Sequence, residues 1–209
     1  MLSIEIQPRY LHPFLRRACR IILWSCGQHL RIEGEWPPLE NGPYIYIFNH
    51  ASMFDIFIMM GVIPEYTCTV GKIQQFDWPF WGRIIKRYGA IPIQREELKP
   101  AIESLNLAEE CIKSRQSMII APEGTRTLTG DMLPFKKGAF HVTKNTEATI
   151  IPIGIRGAFK AKRKFGWQIR PGIISAHIGE PITPSRYATL SVDELRDFAR
   201  AQVQQLANQ

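Results

Sequence analysis

YIYIFNHASMFDIFIMM, residues 44–60, joins two apolar runs through a short interval that holds Asn49, His50, Ser52 and Asp55. The first run, YIYIF, is short, aromatic and β-branched, as a buried strand is. The second reads as a buried helix that starts at about Met53, with Ser52 near its N-cap. Inside a regular helix, five residues advance the side-chain direction by about 140° beyond a full turn, so His50 and Asp55 would face apart. They meet only if His50 precedes the helix and Asp55, in its first turns, reaches back. A carboxylate so placed holds one imidazole nitrogen as N–H and leaves the other free to take a proton from a hydroxyl. The other reading of an isolated H-x-x-x-x-D is a buried pair that only satisfies backbone groups.

The alternation of short apolar runs with turn residues or periodic segments continues down the chain. Strands are predicted near 43–48, 66–70, 89–94, 117–121, 149–155 and 173–178. This predicts an α/β layer fold, with a mostly parallel twisted sheet and flanking helices. A helix from near Leu98 has Glu96 and Glu97 ahead of it and Lys113 and Arg115 at its end, the sense that its dipole favours. The last helix opens with the capping-box pattern SVDE, 191–194, and runs to about Ala207. At the other end, YLHPFLRRACRIILWSCGQHL, 10–30, spaces Leu11, Phe14, Leu15, Ala18, Ile21 and Ile22 as in a helix, with Arg16, Arg17 and Arg20 on its flanks. That pattern suits an amphipathic helix lying in a lipid interface, and equally a surface helix docked on the core. The organisation expected is an N-terminal membrane-surface helix and connection over 1–40 and one globular domain over 41–209.

The chain has 209 residues, 45% of them apolar and 22% charged, enough for one sizeable core. Lys and Arg number 26 against 19 Asp and Glu, a net charge of +7, which points to an anionic partner without choosing it. Cys19, Cys26, Cys68 and Cys111 form no C-x-x-C pair, so reduced structural thiols are expected, and neither a zinc site nor a compact disulfide framework. No metal-ligand spacing involves the other histidines. No run approaches the roughly 20 apolar residues that cross a bilayer, and attachment to a membrane is therefore expected at its surface.

Three further stretches carry chemistry. APEGTRT, 121–127, follows an apolar strand; Gly124 can expose its N–H, Thr125 supplies a hydroxyl, and Arg126 offers a planar fork for two phosphate oxygens. GAIPIQR, 89–95, ends a strand on Arg95, a second guanidinium at the sheet edge. RGAFKAKRKFGWQIR, 156–170, holds six cations and no acid, with Phe159, Phe165 and Trp167 between them. Nucleic acid, anionic lipid, an acidic carrier protein, the phosphates of coenzyme A and plain solvent would each tolerate that last pattern.

In order and approximate spacing, NHASMFD (49–55), GAIPIQR (89–95), APEGTRT (121–127) and IPIGI (151–155) resemble the four sequence boxes of the 1-acylglycerol-3-phosphate acyltransferase family. The resemblance covers about residues 43–160. It implies transfer of a fatty acyl group from a thioester, acyl-CoA or acyl carrier protein, to a lysophospholipid hydroxyl, with no cofactor beyond that co-substrate. His50 then resembles the general base and Asp55 its orienting partner. Arg95, Glu123, Gly124 and Arg126 resemble the residues that bind the acceptor phosphate and organise the site, with Thr125 beside them and Pro152 in the fourth box. Lys72, in GKIQQFDWPFWG, resembles a basic residue that the family places near the same site. The aromatic set Phe76, Trp78, Phe80 and Trp81 can extend an acyl-facing surface toward the membrane. The partners implied are a lipid surface, a lysophospholipid and the thioester donor, not nucleic acid, with a peripheral location on the cytoplasmic face of the inner or plasma membrane. The alternatives are the same chemistry on glycerol 3-phosphate or another lysolipid, or a non-catalytic basic protein that binds lipid or nucleic acid.

Overall fold

The structure, a computed structural model, describes residues 8–93 and 98–209. Helix α1 spans Pro8–Ser25 and leads into strand β1, Gln28–Glu33. Strand β2, Tyr44–Phe48, is followed by α2, Asp55–Val62, then β3, Thr67–Lys72, α3, Trp81–Arg87, and β4, Ile91–Ile93. Next come α4, Leu98–Lys113, β5, Ser117–Ile120, α5, Gly138–Thr146, and β6, Thr149–Arg156. The short α6, Ala158–Ala161, strand β7, Gly172–Ile178, the short α7, Pro184–Tyr187, and α8, Val192–Ala207, complete the described chain. The seven strands form one sheet in the order β1-β7-β6-β2-β5-β3-β4. Only β6 and β7 pair antiparallel, so the fold is α/β with a mostly parallel sheet.

A parallel sheet is covered on both faces, and β2 shows why its strand has no polar alternation. Tyr44, Tyr46 and Phe48 enter the core beneath α1 and α2, whereas Ile45 and Ile47 enter the core beneath α4, α5 and α8. Pro152 lies inside β6, where a proline would ordinarily cost a ladder bond. Pairing with β7 begins only at Ile153, so no ladder partner on that side requires an N–H from residue 152. The C-terminal helix sits unusually close to this strand: a Cβ at Gly154 would lie 2.3 Å from the backbone of Leu206 and Ala207. The start of α8 is capped as expected, with Ser191 Oγ accepting from Glu194 N–H and Glu194 Oε2 accepting from Ser191 N–H.

Two expectations change. The helix predicted over 10–30 ends at Ser25, and Gly27, at φ +73°, turns the chain so that residues 28–33 add to the sheet beside β7. The cysteines expected as four thiols are two: Cys68 in β3 and Cys111 in α4 are disulfide-bonded, and Cys19 and Cys26 are free. A separation of 43 residues makes that pair a product of α4 docking on the sheet, which no local spacing announces.

Helix α1 carries two apolar stripes. His12, Leu15, Cys19 and Leu23 face the core, while Tyr10, Phe14, Ile21 and Trp24 stand exposed on the other side. Arg16 and Arg20, on the flanks of the predicted stripe, donate to the carbonyls of Gly61 and Val62 at the end of α2, as suits the docked reading of this helix. Those carbonyls have no partner within their own helix and carry its negative dipole end, so cations satisfy both needs.

Candidate active site

The carboxyl ends of the parallel strands bring the singled-out loops to one edge of the sheet. Between the end of β2 and the start of α2, residues 49–54 form the turn that holds the pair. Asp55 Oδ2 accepts from His50 Nδ1–H at 2.7 Å, Ala51 N–H at 2.7 Å and Ser52 N–H at 2.8 Å. The carboxylate is fully buried while the imidazole stays partly open, with 26% of its side chain exposed. The helix starts two residues later than predicted because Ser52 Oγ, while accepting from Phe54 N–H, donates to the carbonyl of Lys162 in a distant loop. With Nδ1 committed to Asp55, Nε2 is the nitrogen left to take a proton.

The 121–127 loop holds His50 by both backbone groups. Glu123 Oε1 accepts from His50 N–H at 2.6 Å, and the His50 carbonyl accepts from Thr127 N–H at 3.0 Å. The other oxygen of Glu123 accepts from Leu133 N–H at 2.8 Å. Burial pushes the Glu123 carboxyl up from its ordinary value, and those two N–H donors pull the other way. Gly124 adopts φ +74° at the tip of this turn, and any Cβ there would meet the Lys136 side chain at 3.0 Å. Glycine is therefore required twice over, for its conformation and for the lysine laid across it.

A cleft of about 590 Å³ opens at the imidazole. Its wall is mainly apolar, including Met53, Phe57, Val70, Trp78, Trp81, Ile85, Leu105 and Ile119, and it also contains His50, Gly124, Arg126 and Lys136. Thr125, between the cleft residues Gly124 and Arg126, is exposed, with its hydroxyl turned to Lys164, whose Nζ lies 3.0 Å from Thr125 Oγ1 and 3.1 Å from the Arg126 carbonyl. Lys72 ends β3 beside the cleft residue Gly71 and is exposed, outside the cleft wall. Arg95 lies outside the described residues. Of the aromatic set, Phe76 is core, Trp81 and the exposed Trp78 line the cleft, and Phe80, next to Trp81 in the chain, is exposed. Phe80 has φ 60° and ψ −56°, the centre of a tight turn closed by Trp81 N–H on the Pro79 carbonyl at 2.7 Å. A bulky residue in that conformation is strained.

An acyltransferase family model matches residues 29–156, from the first strand through the sixth. The chain belongs to the acyltransferase family. Among curated relatives, the 1-acyl-sn-glycerol-3-phosphate acyltransferase of Cocos nucifera is 38% identical over 164 residues, 78% of this chain and 53% of that protein. The enzyme of the same name from Saccharomyces cerevisiae is 32% identical over 206 residues, 95% of this chain and 66% of that one. The chain thus spans between about half and two-thirds of the length of these relatives. The crystal structure of the 1-acyl-sn-glycerophosphate (LPA) acyltransferase PlsC from Thermotoga maritima shares the fold, with a TM-score of 0.84 at 23% identity over 95% of this chain and 79% of that one.

Lys136 in the cleft wall and Lys164 against the 121–127 loop are the cations at this edge that the sequence motifs do not single out. In the sequence, the Lys136–Lys137 pair suits phosphate binding or a plain surface turn, and Lys164 is one of six cations in a segment with no assigned place. The available signal was the cationic run itself, emerging directly after the fourth box, at the same sheet edge as the other three.

Proposed function

We propose that the chain transfers a fatty acyl group from a thioester, on coenzyme A or acyl carrier protein, to the free hydroxyl of 1-acyl-sn-glycerol 3-phosphate, giving phosphatidate. The observation that carries this reading is the 2.7 Å bond from His50 Nδ1 to a buried Asp55, set at the mouth of an apolar cleft whose wall includes Arg126. The names of the curated relatives favour the same acceptor.

In the proposed reaction, Nε2 of His50 takes the acceptor hydroxyl proton as its oxygen attacks the thioester carbonyl. The C–S bond then breaks, and the leaving thiolate recovers the proton from the imidazolium, so that an ester and a free thiol result. Asp55 stabilises the imidazolium between the two steps. The oxyanion needs donors. The amides of Ala51 and Ser52 are committed to Asp55 and that of Gly124 to the Ala121 carbonyl, which leaves those of Thr125 and Arg126 as their proposed source. Arg126, Lys136 and Lys164 would receive the acceptor phosphate through charge-assisted hydrogen bonds, and the cleft would take the acyl chain.

No helix among the described residues is long and apolar enough to cross a membrane. The exposed stripe of α1, with exposed Trp78 in the cleft wall and exposed Phe80 beside Trp81 in the chain, supports a peripheral seat on a lipid surface, proposed to be the cytoplasmic face of the inner or plasma membrane. The test is thiol release from acyl-CoA and from acyl carrier protein with and without lysophosphatidate. Release should depend on the acceptor and fall about 10²–10⁴-fold in His50→Ala. Acceptor-independent release, or nearly full activity in His50→Ala, would sink the proposal.

A further inference from the structure

Between α6 and β7 the chain crosses the same sheet edge in a loop that the chemistry above uses only through Lys164. Phe165 and Trp167 in this loop are 84% and 87% exposed, more open than any other large apolar side chain among the described residues. Cations neighbour them in the loop: Lys164 Nζ stands 5.6 Å from the Phe165 ring centre, Arg163 lies over Phe159, and no carboxylate occurs between residues 156 and 170.

The loop is not a loose excursion. Its first part is bonded to the catalytic turn through Ser52 Oγ on the Lys162 carbonyl, and to the 121–127 loop through Lys164. Its last part is bonded to the end of α1 through Gly172 N–H on the Gly27 carbonyl and Gln28 Nε2 on the Arg170 carbonyl. Trp167 therefore stands three residues before one member of that joint, and Trp24, the end of the exposed α1 stripe, three residues before another. Rings this exposed, standing on a loop beside positive charge, are convex. A protein partner would need a matching apolar socket, whereas a bilayer interface accepts convex indole and phenyl rings and, when the lipids are anionic, attracts each nearby cation.

We propose that residues 162–169 form a second contact with an anionic lipid surface, continuous with α1, in which Phe165 and Trp167 enter the interface and hold the phosphate-binding edge of the site against the headgroups. This rests on the acyl-transfer reading for its purpose, though not for its measurement.

The test uses the full chain and equimolar phosphatidylcholine–phosphatidylglycerol vesicles, plain or brominated along the acyl chains. Brominated vesicles should quench wild-type tryptophan emission more than that of Trp167→Phe, the difference reporting the depth of Trp167. The double variant Phe165→Ser/Trp167→Ser should keep its Tm and bind plain vesicles at least about tenfold more weakly, since partition follows the apolar area buried. Equal quenching of wild type and Trp167→Phe overturns the proposal. So does a double variant that binds vesicles normally while losing affinity for acyl carrier protein, which would make the loop a protein contact. If the wild type transfers no acyl group yet Trp167 is quenched, the enzymatic reading falls and the lipid contact stands. If it transfers acyl groups and Trp167 is not quenched, only the lipid contact falls.

Discussion

One oxygen of Asp55 takes three hydrogen bonds, while the other, Oδ1, is buried with no partner. Asn at this position can keep all three acceptor bonds on its carbonyl and place its amide where Oδ1 was. Asp55→Asn should therefore fold, with a loss of about 1–3 kcal/mol for the unpaired buried amide, while kcat falls at least about tenfold because the imidazolium loses its counter-charge. Thermal melts and acceptor kinetics measured on one preparation would separate the two effects, and an unchanged kcat would remove the charge from the mechanism. Lys164→Ala should raise the acceptor KM about tenfold with little change in kcat, as expected for one lost charge-assisted bond. Phe80, strained and 78% exposed, makes the opposite case: Phe80→Gly should raise stability by about 1 kcal/mol in a melt while weakening vesicle binding. The His50–Asp55 contact was legible because its geometry is local, five residues and one turn. Lys164 was not, since its place depends on a loop closing onto Thr125 from 39 residues away.

At the scale of elements, α1 shows how an amphipathic pattern can conceal two faces. Spacing alone grouped Leu11 with Phe14 and Ile21, but Leu15 and Leu23 turn inward while Phe14 and Ile21 turn out, because the docked stripe is organised by buried His12. His12 Nδ1 meets the Tyr88 hydroxyl at 2.9 Å and Nε2 meets the Ile63 carbonyl at 3.2 Å. Burial lowers the pKa of His12 below 6.5, with the Ile63 carbonyl opposing and Arg16 adding to the effect. The folded protein thus resists the proton that the unfolded chain accepts, and the contribution of neutral His12 is present above about pH 6.5 and lost as the pH falls below it. His12→Gln, which cannot titrate, should cost stability at pH 8 and cost less at pH 5; a penalty independent of pH would contradict this. The strand β1 was missed for a related reason: QHLRIE extends the helical spacing, and the stop signal was Gly27, the residue type that ends helices at positive φ.

Across the whole molecule, α/β layering and a mostly parallel sheet were legible from the alternation of apolar runs, because each strand of a covered parallel sheet leaves the same mark. The order of the strands and the antiparallel β7 depend on crossovers that leave no such mark. The approach of α8 to Gly154 is a global constraint of that kind: Gly154→Ala drives a methyl into helix backbone and should destabilise by about 1–3 kcal/mol or more, read as a lower Tm and earlier exposure of α8 in hydrogen exchange. Normal protection of α8 in that variant would show that the helix yields freely. The joint between α1 and β1 carries a last consequence. Only Cys26 and Gly27 separate the helix from the edge of the sheet, and Gly27 is itself bonded to Gly172. With so little slack, α1 has no hinge about which to rock, and on the lipid seat proposed above its draught would fix how high the imidazole rides above the hydrocarbon. On that seat substrate would have to climb to the enzyme, and a few glycines spliced in after Cys26 should uncouple vesicle binding from turnover.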